Sequence, residues 1–198
     1  VIDAGYQDLR DLLKTKWGRG LDGKAMRDVA ASAGQCIQAV HASRLVWTDL
    51  KTENFVVMTQ DDGSNGLSQV RGIDLESAVA FGGNPVTYSP EACPPEFAIA
   101  LGSGDGMDFI LDPSYDIWSL GMMLYEVSTG QPYFKGKKPT TVLKNPDFVA
   151  DLSKIKDDKL RDLIGTCLNV DPKKRPSITS FLLHPYFTTT GIGIFSFL

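Results

Sequence analysis

The sequence predicts an α+β fold that is mainly α, a helical lobe bearing a small β hairpin with a polar cluster on it. Three observations carry this. Apolar residues recur at helical spacing from Lys24 to about Ala42 and from Tyr115 to Thr129. Two short apolar stretches, 45–47 and 55–58, have the length of buried strands and enclose Asp49, Lys51, Glu53 and Asn54. The segment from Phe81 to Ser114 is rich in Gly and Pro and reads as one long loop, a kind of segment that is usually functional in a compact domain.

Taken in order, Leu9, Leu12 and Leu13 form a short helical stripe that Gly18 and Gly20 end. "GRGLDG" reads as a turn. The long helix follows, with Met26, Val29, Ala30, Ala33, Ile37 and Val40 on its core side. After the two strands, "TQDDGSNG" has turn composition, and "SQVRGIDLESAVAF" returns as a strand and passes into the loop. The helix from Tyr115 carries Ile117, Leu120, Leu124 and Val127, and Gly130 closes it. Lys135 to Pro146 reads as loop. Leu152 to Leu168 and Ser177 to Leu183 read as two further amphipathic helices.

The 198 residues, 42% hydrophobic and 22% charged, have globular proportions and suit one domain or one large lobe. A net charge of −4 gives no electrostatic reason to expect nucleic acid or an anionic membrane. Cys36, Cys93 and Cys167 are odd in number and far apart, which argues against a disulfide framework or zinc site and fits a reducing, intracellular and by default cytoplasmic setting. His41 and His184 have no second ligand at useful spacing and read as helix-end residues. No apolar run is long enough for a membrane span. The chain starts at Val1 rather than Met, so it is expected to be a fragment. The closing "GIGIFSFL" is expected to pack on the core or stay disordered.

The polar cluster has a chemical reading. Asp49 and Asn54 lie between two buried pieces, and Asp74 follows the next strand. Two carboxylates and an amide suit hard oxygen coordination of the Mg²⁺ type. Lys51 offers a point charge to a phosphate. A carboxylate base, a cation and metal ligands are what phosphoryl transfer needs, because its catalysis is mainly positioning and charge stabilisation.

"TDLKTEN" resembles the catalytic loop of eukaryotic-type protein kinases. "IDLES" resembles their metal-binding D-F-G segment, "YSPEACPPEF" the loop that ends in A-P-E, "YDIWSLGMMLYEVSTGQPYF" the central helix, and "CLNVDPKKRPSITSFLLHPYF" the closing helices. The matches come in the family's order and cover nearly the whole chain. The resemblance implies a kinase C-lobe over residues 1–187, a short tail over 188–198, and an N-lobe absent from this chain that would dock on it. It implies ATP and Mg²⁺ as cofactors and a protein substrate with a Ser or Thr acceptor, the Lys at position 51 being the serine/threonine pattern. Asp49 would accept or orient the substrate hydroxyl proton. Lys51 would stabilise the transferring phosphoryl group, and Asn54 and Asp74 would hold the metal. Val56 would lie under the adenine, and the nucleotide-binding set would be Lys51, Glu53, Asn54, Val56 and Asp74. Ser89 would face the acceptor site and Glu53 would meet a basic substrate residue. Glu96 and Arg175 would form an ion pair that braces the activation loop, and Asp116 would hold the catalytic-loop backbone.

Three departures from the family pattern stand out. Trp47-Thr48 replaces His-Arg, which removes the usual partner of an activation-loop phosphate. Leu75-Glu76 replaces Phe-Gly, so a side chain stands where Gly gives backbone freedom and a further carboxylate lies near the metal. The chain also contains no G-x-G-x-x-G loop and no V-A-I-K lysine, so half of an ATP site is missing and the chain alone is expected to have little or no activity. The alternative reading is a pseudokinase or scaffold that keeps the fold, favoured by Glu76, Trp47 and Thr48. A small-molecule phosphotransferase is weaker, because "SPEACPPEFA" and Ser89 resemble a peptide-positioning loop. "KGKK" and "DPKKRP" read as solvated charge.

Overall fold

The computed structural model of the protein describes residues 7–16, 18–58, 69–145 and 147–188. Its centre is a helix with apolar residues on every side. In α4, Ser114–Thr129, each residue from Tyr115 to Val127 is buried, and a helix apolar all round belongs inside a protein rather than at its surface. It ends at Gly130, whose φ of +74° lets its N–H return to the Glu126 carbonyl at 2.7 Å. A Cβ at that position would lie 2.1 Å from the Gly18 carbonyl oxygen, so backbone conformation and close approach both require glycine.

Other helices bury their apolar stripes around this axis. The long helix α2, Gly23–Ala42, and α6, Asp158–Cys167, both pack on α4. Two short helices, α7 (Ile178–Leu182) and α8 (Pro185–Thr188), close against α2 and, for α8, also α6. The first helix, α1 (Leu9–Thr15), buries Leu9, Leu12 and Leu13, and the Asp8 carboxylate caps it by accepting from the Asp11 N–H at 2.8 Å. Burial pushes the Cys93 and Cys167 thiols up to about 12, far from thiolate at neutral pH. Among the described residues no helix is long and apolar enough to cross a membrane.

The strands form two small antiparallel sheets. One holds β1 (Gln7–Asp8), β3 (Phe55–Val57) and β4 (Val70–Gly72) in the order β1-β3-β4. The other pairs β2 (Leu45–Val46) with β5 (Val79–Ala80). The expected hairpin therefore changes form. The two strands on either side of the polar cluster do not pair with each other, and the cluster bridges two sheets. Each strand finds a partner in the returning segment 70–80, and β3 pairs with β1 along its other edge.

Three other expectations need correction. The segment read as one loop from Phe81 to Ser114 contains α3, Pro95–Ser103, and a 3-10 turn at Gly106–Asp108. The helix expected from Leu152 begins only at Asp158, because the Asp157 carboxylate accepts from the N–H groups of Lys159 (2.9 Å) and Leu160 (3.1 Å) and sets the start there. The stretch read as loop from Lys135 contains a single helical turn, α5, Pro139–Val142. The turn expected in "TQDDGSNG" and the tail "GIGIFSFL" lie outside the described residues.

Candidate active site

The polar loop between β2 and β3 is held from below by one carboxylate. Asp116, in the first turn of α4 and 0% exposed, accepts from the Trp47 N–H at 2.8 Å and the Thr48 N–H at 3.0 Å. The His41 Nε2, in the last turn of α2, lies 2.9 Å from the same carboxylate. A carboxylate this buried is tolerable only when its oxygens are bonded, and here the bonds fix the loop. Thr48 takes φ +66°, costly for a β-branched residue and sustained by this anchoring.

The same loop is tied to the segment that carries Asp74. The Ser77 hydroxyl donates to the Trp47 carbonyl at 2.7 Å, and the Thr48 hydroxyl donates to the Ser77 carbonyl at 3.0 Å. The Trp47 indole N–H donates to the Asp74 carbonyl at 3.0 Å. This indole needs Gly72 beneath it, since a Cβ there would come within 2.6 Å of the ring. The Ile73 N–H continues the β3–β4 ladder to the Asn54 carbonyl at 2.8 Å. Asp74 itself is exposed, with φ +61°. Glu76 is not among the residues with positive φ, so the backbone there does not call for glycine.

Asp49 is the hub of the loop. Lys51 Nζ lies 2.7 Å from its Oδ2, and the Asn54 side-chain N–H donates to its carbonyl at 2.8 Å and to Oδ2 at 3.3 Å. The Ser89 hydroxyl donates to Oδ1. Asp49, Lys51, Asn54 and Ser89 are thus brought into one hydrogen-bonded group, while Asp74 joins the loop through its carbonyl. Val56 sits in the middle strand of its sheet, opposite Asp8 on one side and Arg71 on the other. Glu53 turns elsewhere and forms an ion pair with Arg10. Glu96 and Arg175 form a bidentate pair with both N–O distances 2.7 Å. The Arg175 guanidinium lies 5.1 Å from the Trp118 ring centroid, and Arg175 also donates to the carbonyls of Asn169, Ser114 and Val170.

The residues can be tested against the metal and nucleotide implied by the resemblance. The Asn54 nitrogen is committed to Asp49, which leaves its Oδ1 as an uncommitted hard acceptor among the described residues. No group of three or more His, Cys, Asp or Glu side chains suited to a metal occurs among the described residues. Mg²⁺ takes one or two protein oxygens and completes its shell with phosphate and water. The Asn54 Oδ1 and the Asp74 carboxylate are hard oxygen donors, the kind of ligand that Mg²⁺ accepts.

An acidic group beside the loop escaped the sequence reading. Arg10 on α1 makes ion pairs with Glu53, with Glu91 at 3.4 Å and with Glu126 at 3.4 Å. Its Nε also donates to the Thr52 hydroxyl at 3.3 Å, and that hydroxyl donates to Glu126 at 3.1 Å. Burial works against the Arg10 charge, yet the three carboxylates outweigh it and hold its pKa above the ordinary value. Burial raises the Glu126 carboxyl, an effect that Arg10 and the Thr52 hydroxyl partly offset. One sequence signal existed: Glu126 is the only charged residue in the buried run from Ile117 to Val127. Nothing local pointed to Arg10, whose partners come from three other segments.

A fold that presents a carboxylate, a lysine and an asparagine on one braced loop has the outline of a phosphotransferase. The family model of the protein kinase domain matches residues 4–187. The chain therefore belongs to the protein kinase domain family. It is 30% identical over 160 residues to the cell cycle serine/threonine-protein kinase CDC5/MSD2 of Saccharomyces cerevisiae, covering 78% of this chain and 21% of that protein. To the serine/threonine-protein kinase Nek8 of Danio rerio it is 30% identical over 151 residues, covering 73% of this chain and 20% of that one. With the dual specificity protein kinase TTK of Mus musculus it shares 27% identity over 197 residues, 94% of this chain and 22% of that protein. The chain thus spans about a fifth of the length of these relatives.

Proposed function

We propose that this chain is the C-terminal lobe of a protein kinase that transfers the γ-phosphoryl group of Mg-ATP to a Ser or Thr hydroxyl of a protein substrate. The observation that carries this reading is the hydrogen-bonded group of Asp49, Lys51, Asn54 and Ser89 on a loop fixed by Asp116. Asp49 would accept the proton of the substrate hydroxyl. A carboxylate offers about four acceptor positions, so the hydroxyl can bond to it while Lys51 and Ser89 keep its orientation. Lys51 would meet the negative charge of the moving phosphoryl group, and Ser89 would hold the acceptor side of the cleft. Asn54 and Asp74 would hold the metal, which when bound neutralises phosphate charge. An N-terminal lobe would supply the other half of the nucleotide site and cover Ile73 and Leu75, which flank Asp74 and are 46% and 49% exposed. The names of these relatives, all protein kinases and two of the three serine/threonine kinases, support the reaction class.

The test is transfer of labelled phosphate from ATP with Mg²⁺, using the protein extended upstream of Val1 and mixed Ser, Thr and Tyr peptides. Label on Ser or Thr is expected, and this chain alone is expected to transfer little. Label on Tyr as well would extend the reading to dual specificity. No transfer by a folded, extended protein would overturn catalysis and leave a pseudokinase.

A second expectation concerns control. Thr48 carries no charge, is buried, and spends its hydroxyl on the Ser77 carbonyl. It cannot pair with a phosphate as an arginine would. Complete phosphatase treatment is therefore expected to leave the transfer rate unchanged, and a collapse of the rate in that assay would refute the expectation.

A further inference from the structure

Arg10 occupies an acidic site that opens onto the same cleft as the catalytic loop. Arg10, Glu91 and Glu126 line this cleft together with Lys51, Ser89 and Met122. Glu53, the third carboxylate on Arg10, is two residues from Lys51 and is bonded to the same Thr52 hydroxyl as Glu126. The acidic group is therefore part of the surface a peptide would cross to bring its hydroxyl to Asp49. Three carboxylates converge there on one guanidinium, leaving an excess of negative charge next to the cleft. Arg10 is held by ion pairs at its tip, with its side chain 27% exposed, and Glu91 at the rim is 60% exposed. A site with this make-up would bind a cationic side chain, and the chain provides one itself.

We propose that Arg10 is an internal competitor for a basic residue of the substrate, and so determines specificity by lowering the preference for basic peptides. The inference rests on the protein-kinase reading, and it concerns binding rather than chemistry. A substrate arginine or lysine must displace Arg10, or share the carboxylates with it, so its attraction to the site is offset by the ion pairs it breaks. A peptide with an uncharged residue at that place incurs no such loss. Discrimination between the two is then small while Arg10 is present and grows when its charge is removed.

The experiment measures the affinity of fluorescein-labelled serine peptides for this chain by anisotropy. An arginine is walked through the positions flanking the serine, and each peptide is paired with its norleucine counterpart. Arg10→Met keeps the apolar stem of the side chain and removes its charge. At the position that faces the site, the Arg/norleucine affinity ratio is expected to rise about fivefold in Arg10→Met and to fall back at high salt. Glu91→Gln changes an exposed rim residue and is expected to lower the ratio both in the wild-type background and in Arg10→Met, so the inference stays testable if Arg10→Met folds poorly. An unchanged ratio in folded Arg10→Met overturns the inference. So does an equal gain for both peptides, which would make Arg10 a steric plug. Peptides that bind neither protein overturn it as well. Failed phosphate transfer with a shifted binding ratio counts against the catalytic reading alone.

Discussion

Asp49→Asn is expected to lower phosphoryl transfer by about 10²–10⁴-fold, the usual contribution of a positioned general base. The amide keeps the shape of the carboxylate and can still accept from Ser89, so the loop should stay in place. It loses the basicity needed to take a proton and the charge that faces Lys51. The loss should therefore fall on kcat, with KM for ATP little changed, because the group acts on the acceptor rather than on the nucleotide. Steady-state kinetics on the extended protein separate the two. A loss confined to KM would show that Asp49 binds rather than catalyses, and full activity would remove it from the mechanism.

The largest expected effect on stability comes from Glu96→Ala. The Arg175 side chain is 0% exposed, and Glu96, at 23%, is its only ionic partner among the described residues. Removing one member of a buried ion pair strands the other and typically costs about 3–5 kcal/mol. Three carbonyls and the Trp118 ring continue to hold the guanidinium, which places the expected loss near the lower end, about 3 kcal/mol. The change should appear as a lower urea midpoint with an unchanged slope. A loss below about 1 kcal/mol would place the pair among exposed ion pairs rather than buried ones. Because the pair joins α3 to the segment before α7, local unfolding of α3 is expected to show the change first.

These elements also show what the sequence makes legible. The helices at 23–42 and 114–129 were readable because each carries a long apolar period, and in the second a closing glycine, Gly130, repeats the message. The helix Pro95–Ser103 was hidden by its own boundary residues. Pro94 and Pro95 at its start and Gly102 and Gly104 near its end count as loop composition, although Pro at the start and Gly just past the end are helix signals. The strand partners were misread because pairing depends on segments far apart in the chain, and composition does not encode which edge is taken. The same contrast holds at the site. Asp49, Lys51 and Asn54 lie within six positions of one another and could be read as a unit. The grouping of Arg10 with Glu53, Glu91 and Glu126 spans 117 positions of chain and exists only once the fold has formed.

The bond between Asp116 and the loop that carries Asp49 also has a consequence in time. Its two N–H partners precede it by 69 and 68 residues. At a synthesis rate of roughly 5–20 residues per second, the loop leaves the ribosome about 3–14 s before the residue that shapes it. In that interval Thr48 lacks the carboxylate that anchors its N–H in the left-handed conformation. The newborn chain carries all the loop's chemical groups before the carboxylate that fixes its backbone, and that anchor arrives only when the central helix is made.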